Sequence, residues 1–385
     1  MGRFLSFLIF ISIVLAVYGS AHYYVYKRFL SAFPEITQTA LAILRIVLVV
    51  LVITFPLASI LGRVSHNFVI KSLYWVSAIW IGLFFYIFLL TALMHGLGTI
   101  LKLAGFLPNL ESALGFNPAR MGAFIVAILS ISISIAGISS AYKKPDTTIV
   151  EIPIKNLPDH LNNFRIVQLS DIHLGIIVDE SRLEKMIDIA NSLNPDIVVI
   201  TGDLMDAEAL NAKCVTNPLK KLKTKYGAFA ITGNHEFYAG VDEIVKRVQE
   251  AGVKFLRNES VKVTDGLIIY GIDDPDRRSV GLKPVKFEDV IDPEAKANVA
   301  ILLYHRPEKL EEAQALGIDL ILSGHTHKGQ LWPFTLIAKL AFSHQAGHFI
   351  YKDTHQYVTR GAGTWGPPMR VLAPPEIPVI VLKKG

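Results

Sequence analysis

The 385-residue sequence calls for an α-helical membrane region followed by a separate α/β domain. Mean hydropathy is +0.41 with only 18% charged residues, beyond what a soluble globule shows, so part of the chain belongs in lipid. The charge divides unevenly: residues 1–144 hold ten Lys/Arg against two Asp/Glu, and residues 145–385 hold 28 against 31. After Lys143-Lys144-Pro145 the pattern changes to short Val- and Ile-rich runs alternating with helical spacings. The expected domains are therefore 1–144 and 145–385. The basic surplus lies in the first, so the second lacks the charge to grip a polyanionic backbone, and nucleic acid is not an expected partner. A single Cys214 excludes an intramolecular disulfide and a thiolate-rich metal site.

In the first region four stretches carry no charged side chain: Phe4–Tyr26, Ile46–Gly62, Ser72–Leu101 and Met121–Tyr142. About 20 apolar residues cross the hydrocarbon core, so four transmembrane helices are expected. The first stretch lacks a good small-residue cleavage site and is followed by more spans, which disfavours a signal peptide. Arg45 and His95 are the polar intruders. With no acidic partner in any span they read as residues near an interface, and a transporter finds no support. Four spans would return both ends to one side. The flanking charges, five against four, do not choose an orientation.

In the second region six apolar runs read as buried strands: Phe164–Leu169, Ile197–Ile200, Ala228–Ile231, Leu267–Ile272, Val299–Leu303 and Leu320–Leu322. Helical spacing covers Ser181–Leu193, stopped by Asn194-Pro195. It also covers Val241–Ala251 and Pro307–Leu316, each followed by a glycine placed as a C-terminal cap. Phe349–Leu382 reads as short strands broken by Gly and Pro.

Ligands of open α/β sheets bind beyond the carboxyl ends of strands, which makes the residues after each run the informative ones. They are Asp171-Ile172-His173, Gly202-Asp203, Gly233-Asn234-His235-Glu236, Tyr304-His305-Arg306 and Gly324-His325-Thr326-His327. Five of the twelve histidines fall here, with carboxylates and an amide but no sulfur. That donor set suits Mn, Fe or Zn ions in a site other than a structural zinc site. Strand alternation is expected to bring Asp171 with His173, and His325 with His327, into one crevice.

In this order, D-x-H, G-D, G-N-H-[DE], a lone His and G-H-x-H resemble the signature of the calcineurin-like metallophosphoesterases. The resemblance runs from Asp171 to His327 and continues through Gly361–Leu382. It implies a four-layer α/β/β/α sandwich and two divalent metal ions. By matching position, one ion would take Asp171, His173, Asp203 and His327, the other Asp203, Asn234, His305 and His325, with Asp203 bridging. His235 resembles the family's catalytic histidine, which is no ligand and stabilises or protonates the leaving oxygen. The nearest branch resembles membrane-associated bacterial phosphoesterases that include UDP-diacylglucosamine hydrolases. Those read G-H-T-H-G-G, and here Lys328 replaces the first glycine, a departure on the substrate side.

Arg306 and Lys328 are candidate contacts for substrate phosphate, and Glu236 and Tyr238 for ordering the loop, although a loop acid is more often solvated. Leu331–Phe342, with one charge in twelve residues, reads either as an apolar lip toward the bilayer or as a core helix. The expected activity is hydrolysis of a phosphodiester or pyrophosphate, a lipid-linked one included, at a bacterial cell membrane that the chain crosses several times. A phosphomonoesterase and a catalytically inactive receptor or scaffold are the alternatives.

Overall fold

The computed structural model describes residues 2–106, 117–207 and 215–385, so Cys214 lies outside the described residues. It divides into two compact units, Met1–Ile138 and Ser139–Gly385.

The first unit is built from α1 (Gly2–Ala32), α2 (Gln38–Gly62), α3 (Phe68–Leu103) and α4 (Pro118–Ala141), the last three residues of α4 belonging to the second unit. Side-chain caps start two of them: Thr37 accepts from the Ala40 N–H and Asn67 from the Ile70 N–H. Among the described residues three helices, α2, α3 and α4, are long and apolar enough to cross a membrane, against the four spans expected. The first expected span lies within the 31-residue α1, several of whose early side chains lie outside the described residues. Ile46, Val49 and Val50 of α2 are more than half exposed, an arrangement that suits a lipid solvent and not water. Tyrosines partner the polar intruders. Arg45 Nε donates to the Tyr26 hydroxyl at 2.7 Å, and His95 lies 2.9 Å from both the Tyr24 hydroxyl and Arg28 Nη1.

The second unit holds twelve described strands: β1 (Ile149–Ile154), β2 (Arg165–Leu169), β3 (Ile197–Thr201), β4 (Ala228–Ile231), β5 (Lys254–Phe255), β6 (Glu259–Thr264), β7 (Leu267–Ile272), β8 (Val299–Tyr304), β9 (Leu320–Ser323), β10 (Gly347–Tyr351), β11 (Thr354–Val358) and β12 (Val379–Lys384). The described helices are α5 (Glu180–Ser192), α6 (Thr216–Leu219), α7 (Asn234–Ala239), α8 (Val241–Glu250), α9 (Leu310–Ala315) and α10 (Phe334–Ala341). Two six-stranded sheets form, ordered β1-β12-β2-β3-β4-β5 and β10-β11-β9-β8-β7-β6. The strands β2 to β5 pair in parallel, as do β7, β8, β9 and β11. The C-terminal β12 inserts antiparallel beside β2, with Val379 opposite Val167.

Alternation along each strand sorts the two faces. Ile197 and Val199 of the first sheet meet Ile269, Ile301 and Leu303 of the second in one hydrophobic core. The intervening Ile268, Tyr270, Ala300 and Leu302 pack outward against Phe287, Leu310 and Ala313. Helix α5 starts at Asp179, whose carboxylate accepts from the Arg182 N–H, and buries the expected Leu183, Met186, Ile187 and Ala190. The helix expected from Pro307 begins only at Leu310, because Lys309 takes a left-handed conformation (φ 64°) that a helix cannot include.

Candidate metal centre

All seven expected metal ligands and His235 follow the ends of β2, β3, β4, β8 and β9. Strand alternation is not what converges them, which corrects the expectation for Asp171 with His173 and His325 with His327. These residues lie beyond the strands, and Asp171, His173, Asp203, His325 and His327 all have φ between 48° and 72°. A left-handed conformation is uncommon for a residue with a side chain, and its concentration at one site marks a backbone bent to aim side chains inward. Backbone also approaches closely. A Cβ added at Gly233 would overlap the Asp203 carboxylate, and one at Gly324 the Asp171 carboxylate.

The donors gather into overlapping groups: Asp171, His173 and His327; His173, Asp203 and His235; Asp203, His305 and His325. Asp171, His173, Asp203 and His305 are almost wholly buried. His173 Nε2 faces His327 Nε2 at 3.0 Å, and His305 Nε2 lies 3.2 Å from His325 Nδ1 and 3.1 Å from Asp203 Oδ2. Ring nitrogens this close share either a proton or a metal ion between them. Two buried acceptors, Asp171 Oδ2 and Asn234 Oδ1, have no hydrogen-bond partner among the described residues. Both belong to the expected ligand set, and an unsatisfied buried acceptor is what a bound ion would complete. The residues therefore fit divalent metals.

The outer contacts fix which ring atom faces inward. His305 Nδ1 donates to the Thr201 carbonyl at 2.7 Å, leaving Nε2 toward Asp203. Asp206 Oδ1 accepts from Nδ1 of both His173 (2.9 Å) and His235 (2.7 Å). Arg370, fully buried, donates to the carbonyls of Gly363, Arg360 and Ala373 and places Nη2 3.1 Å from His327 Nδ1. Glu236 is fully buried and not solvated, which corrects that expectation. Its carboxylate accepts the N–H groups of Asp203, Leu204, Met205 and Gly233, tying the loop after β3 to the one after β4.

Electrostatics follows from this crowding. Burial works to raise the Asp203 carboxyl, yet His305 and His235 hold it well below the usual range, whereas burial raises Asp171. His235 is drawn up to about 9, since Asp206 and Asp203 outweigh the burial that would lower it. Burial first, then neighbouring cations, hold His325 and His327 down. Their neutral rings are the metal-binding form.

Arg306 forms a two-bond fork on Asp274 and a further contact with Asp276 at 3.0 Å, so its guanidinium is engaged by carboxylates. Lys328 has φ 52° and ψ 33°, a left-handed conformation that glycine would adopt more readily. Tyr238 donates its hydroxyl to Asp276. Sequence reasoning missed Asp206, Arg370 and Trp365, whose ring centroid is 5.8 Å from that of His235. Asp206 stands three residues after Asp203, a spacing that could have flagged it; Arg370 gave no local signal.

Residues 164–329 match the family model for calcineurin-like phosphoesterases. A Danio rerio transmembrane protein with a metallophosphoesterase domain is 34% identical over 80% of this chain and 72% of its own. A metallophosphoesterase of Campylobacter jejuni is 32% identical over 98% of this chain and 99% of its own. The crystal structure of a dimetal phosphatase from Danio rerio covers 52% of this chain and 88% of its own at 10% identity, TM-score 0.35. Two likenesses above 30% identity, one over nearly the whole of both chains and one over 72% of the relative, together with the matched donor motifs, place the chain in the calcineurin-like metallophosphoesterase family, as a membrane protein with a metal-dependent phosphoesterase domain.

Proposed function

We propose that the chain is a multi-pass protein of the bacterial cell membrane whose domain, 145–385, hydrolyses a phosphodiester or pyrophosphate carried on a lipid. Asp171, His173, Asp203 and His327 would hold one divalent ion, and Asp203, Asn234, His305 and His325 the other. Bound there, the pair would supply Lewis-acid neutralisation of the phosphoryl oxygens and a water ionised near neutral pH. The protein's own part is positional. Asp206 holds the His235 ring by Nδ1 at 2.7 Å, so its other nitrogen is free to hand a proton to the leaving oxygen. Glu236 and the adjoining glycines keep the Asp203 and Asn234 loops in register.

The observation that carries the lipid reading is α10. None of its described residues is buried, and Leu336, Ile337 and Leu340 are 58%, 56% and 88% exposed. A core helix would bury these side chains, so the lip alternative is the better supported of the two. Chain and contacts join it to the site: α10 starts seven residues after His327, and the Phe342 ring stands edge-on to His325 at 5.3 Å. An exposed apolar helix in a chain that already spans the bilayer has lipid as its natural solvent. The test compares full chain in mixed micelles, with Mn²⁺, on a soluble chromogenic phosphodiester and on a lipid-linked nucleotide diphosphate. Preference for the lipid substrate supports the reading; turnover of phosphomonoesters alone, or metal binding without turnover, contradicts it.

A further inference from the structure

Beyond the metal centre, the C-terminal unit carries a second built pocket, and every residue lining it belongs to that unit. It encloses about 390 Å³ where the chain leaves α4, between Tyr142–Pro145 and the exposed face of α5. Lys143, Lys144, Arg182 and Lys185 line it against a single carboxylate, Asp188. Met186 and Ile189 supply apolar wall.

Arg182 is the organising side chain. Its Nη2 donates to the Ala141 carbonyl at 2.9 Å, closing the last turn of α4, and its guanidinium lies 4.3 Å from the Tyr142 ring centroid. The other terminal nitrogen, Nη1, is buried and has no hydrogen-bond partner among the described residues. A buried guanidinium N–H without an acceptor is costly, and a phosphate oxygen is the acceptor whose charge and geometry suit it. The lysines have no ion-pair partner among the described residues that would neutralise them in advance. Along the chain, Tyr142 directly follows a helix apolar and long enough to cross the bilayer.

We propose that this pocket receives the phosphate of an anionic phospholipid of the leaflet in which α4 ends. The Arg182 guanidinium and the Lys144 and Lys185 ammonium groups would hold the phosphate, while Met186 and Ile189 line the path of the glycerol. The arrangement fits a lipid better than a soluble anion, because the pocket combines clustered cations with an apolar wall at a span's end.

The experiment is native mass spectrometry of full-length protein in non-ionic detergent, titrated with phosphatidylglycerol, phosphatidylcholine or inorganic phosphate. One phosphatidylglycerol should be retained per chain and phosphatidylcholine should not. Replacing Lys144 and Lys185, both exposed, by Gln should weaken retention roughly tenfold or more. Replacing Lys220 and Lys223 by Gln, the same charge change elsewhere, should not. Arg182→Gln should abolish retention, and the lysine pair keeps the test decisive if that variant misfolds. Equal retention by the Lys144/Lys185 variant, equal binding of phosphatidylcholine, or binding of inorganic phosphate as tight as that of the lipid would each overturn the proposal.

Discussion

At the scale of single residues, His235 and Glu236 are neighbours in sequence with opposite duties. His235 is partly open to the crevice, and Asp206 holds its ring. His235→Ala is expected to lower kcat by about 10²–10⁴, the usual worth of a positioned proton donor. Metal content should stay unchanged. The loss should shrink for substrates whose leaving group needs no proton, and equal losses for good and poor leaving groups would assign the ring a positioning role. Glu236→Ala removes the acceptor of four backbone N–H groups. Each buried donor left unsatisfied costs roughly 1–3 kcal/mol, so this variant should melt well below wild type and bind metal weakly. Unchanged stability would mean water replaces the carboxylate. The donor identities were legible because chemistry-bearing types cluster after apolar runs. Their convergence was not, since it depends on left-handed φ at residues whose names do not announce it, Asp171 and His327 among them. Arg370 was hidden for a related reason: its partners are main-chain carbonyls, which leave no trace in a sequence.

Elements show the same division. The six central runs appear as strands within a residue or so, because full burial demands continuous Val, Ile and Leu. β6 escaped notice: its ESVKVT is partly exposed at a sheet edge. β1 escaped too, with Pro153 within it at an edge of the other sheet, where a missing N–H is tolerated. Between β8 and β9 lies a testable carboxyl. Asp319 accepts the Ala300 N–H at 2.8 Å, and burial raises its pKa from 3.8 to about 6. The folded state therefore keeps a proton that the unfolded chain gives up. This contribution is fully present below 3.8 and is lost as pH rises through about 6. Asp319→Asn should remove that dependence, so its melting temperature relative to wild type, measured in chelator, should be higher at pH 8 than at pH 5. A constant difference across this range would show that Asp319 does not titrate there. For α10, Leu336, Ile337 and Leu340 changed together to Ser should spare hydrolysis of a soluble diester and impair a vesicle-borne substrate. Loss of both activities alike would return the helix to a structural role.

The whole molecule joins two solvents in one chain. Composition made this plain: an apolar region with ten cations and two acids precedes a domain of nearly balanced charge. The number of spans followed less directly: four apolar stretches are expected, and among the described residues three helices are long and apolar enough to cross a membrane. The family's metal chemistry is the claim on which the functional reading rests, and Asp203 is its common point. Its carboxylate stands in two of the three donor groups. The direct measurement is metal content together with phosphodiester turnover, on full-length protein in detergent, for wild type and Asp203→Asn. Wild type should carry two divalent ions per chain and lose turnover to a chelator, and the variant should lose both turnover and clearly more than a trace of metal. Two tightly held ions in an inactive variant would show that Asp203 does not bridge them, and wild type that holds two ions but turns over no phosphate ester would contradict the enzyme itself.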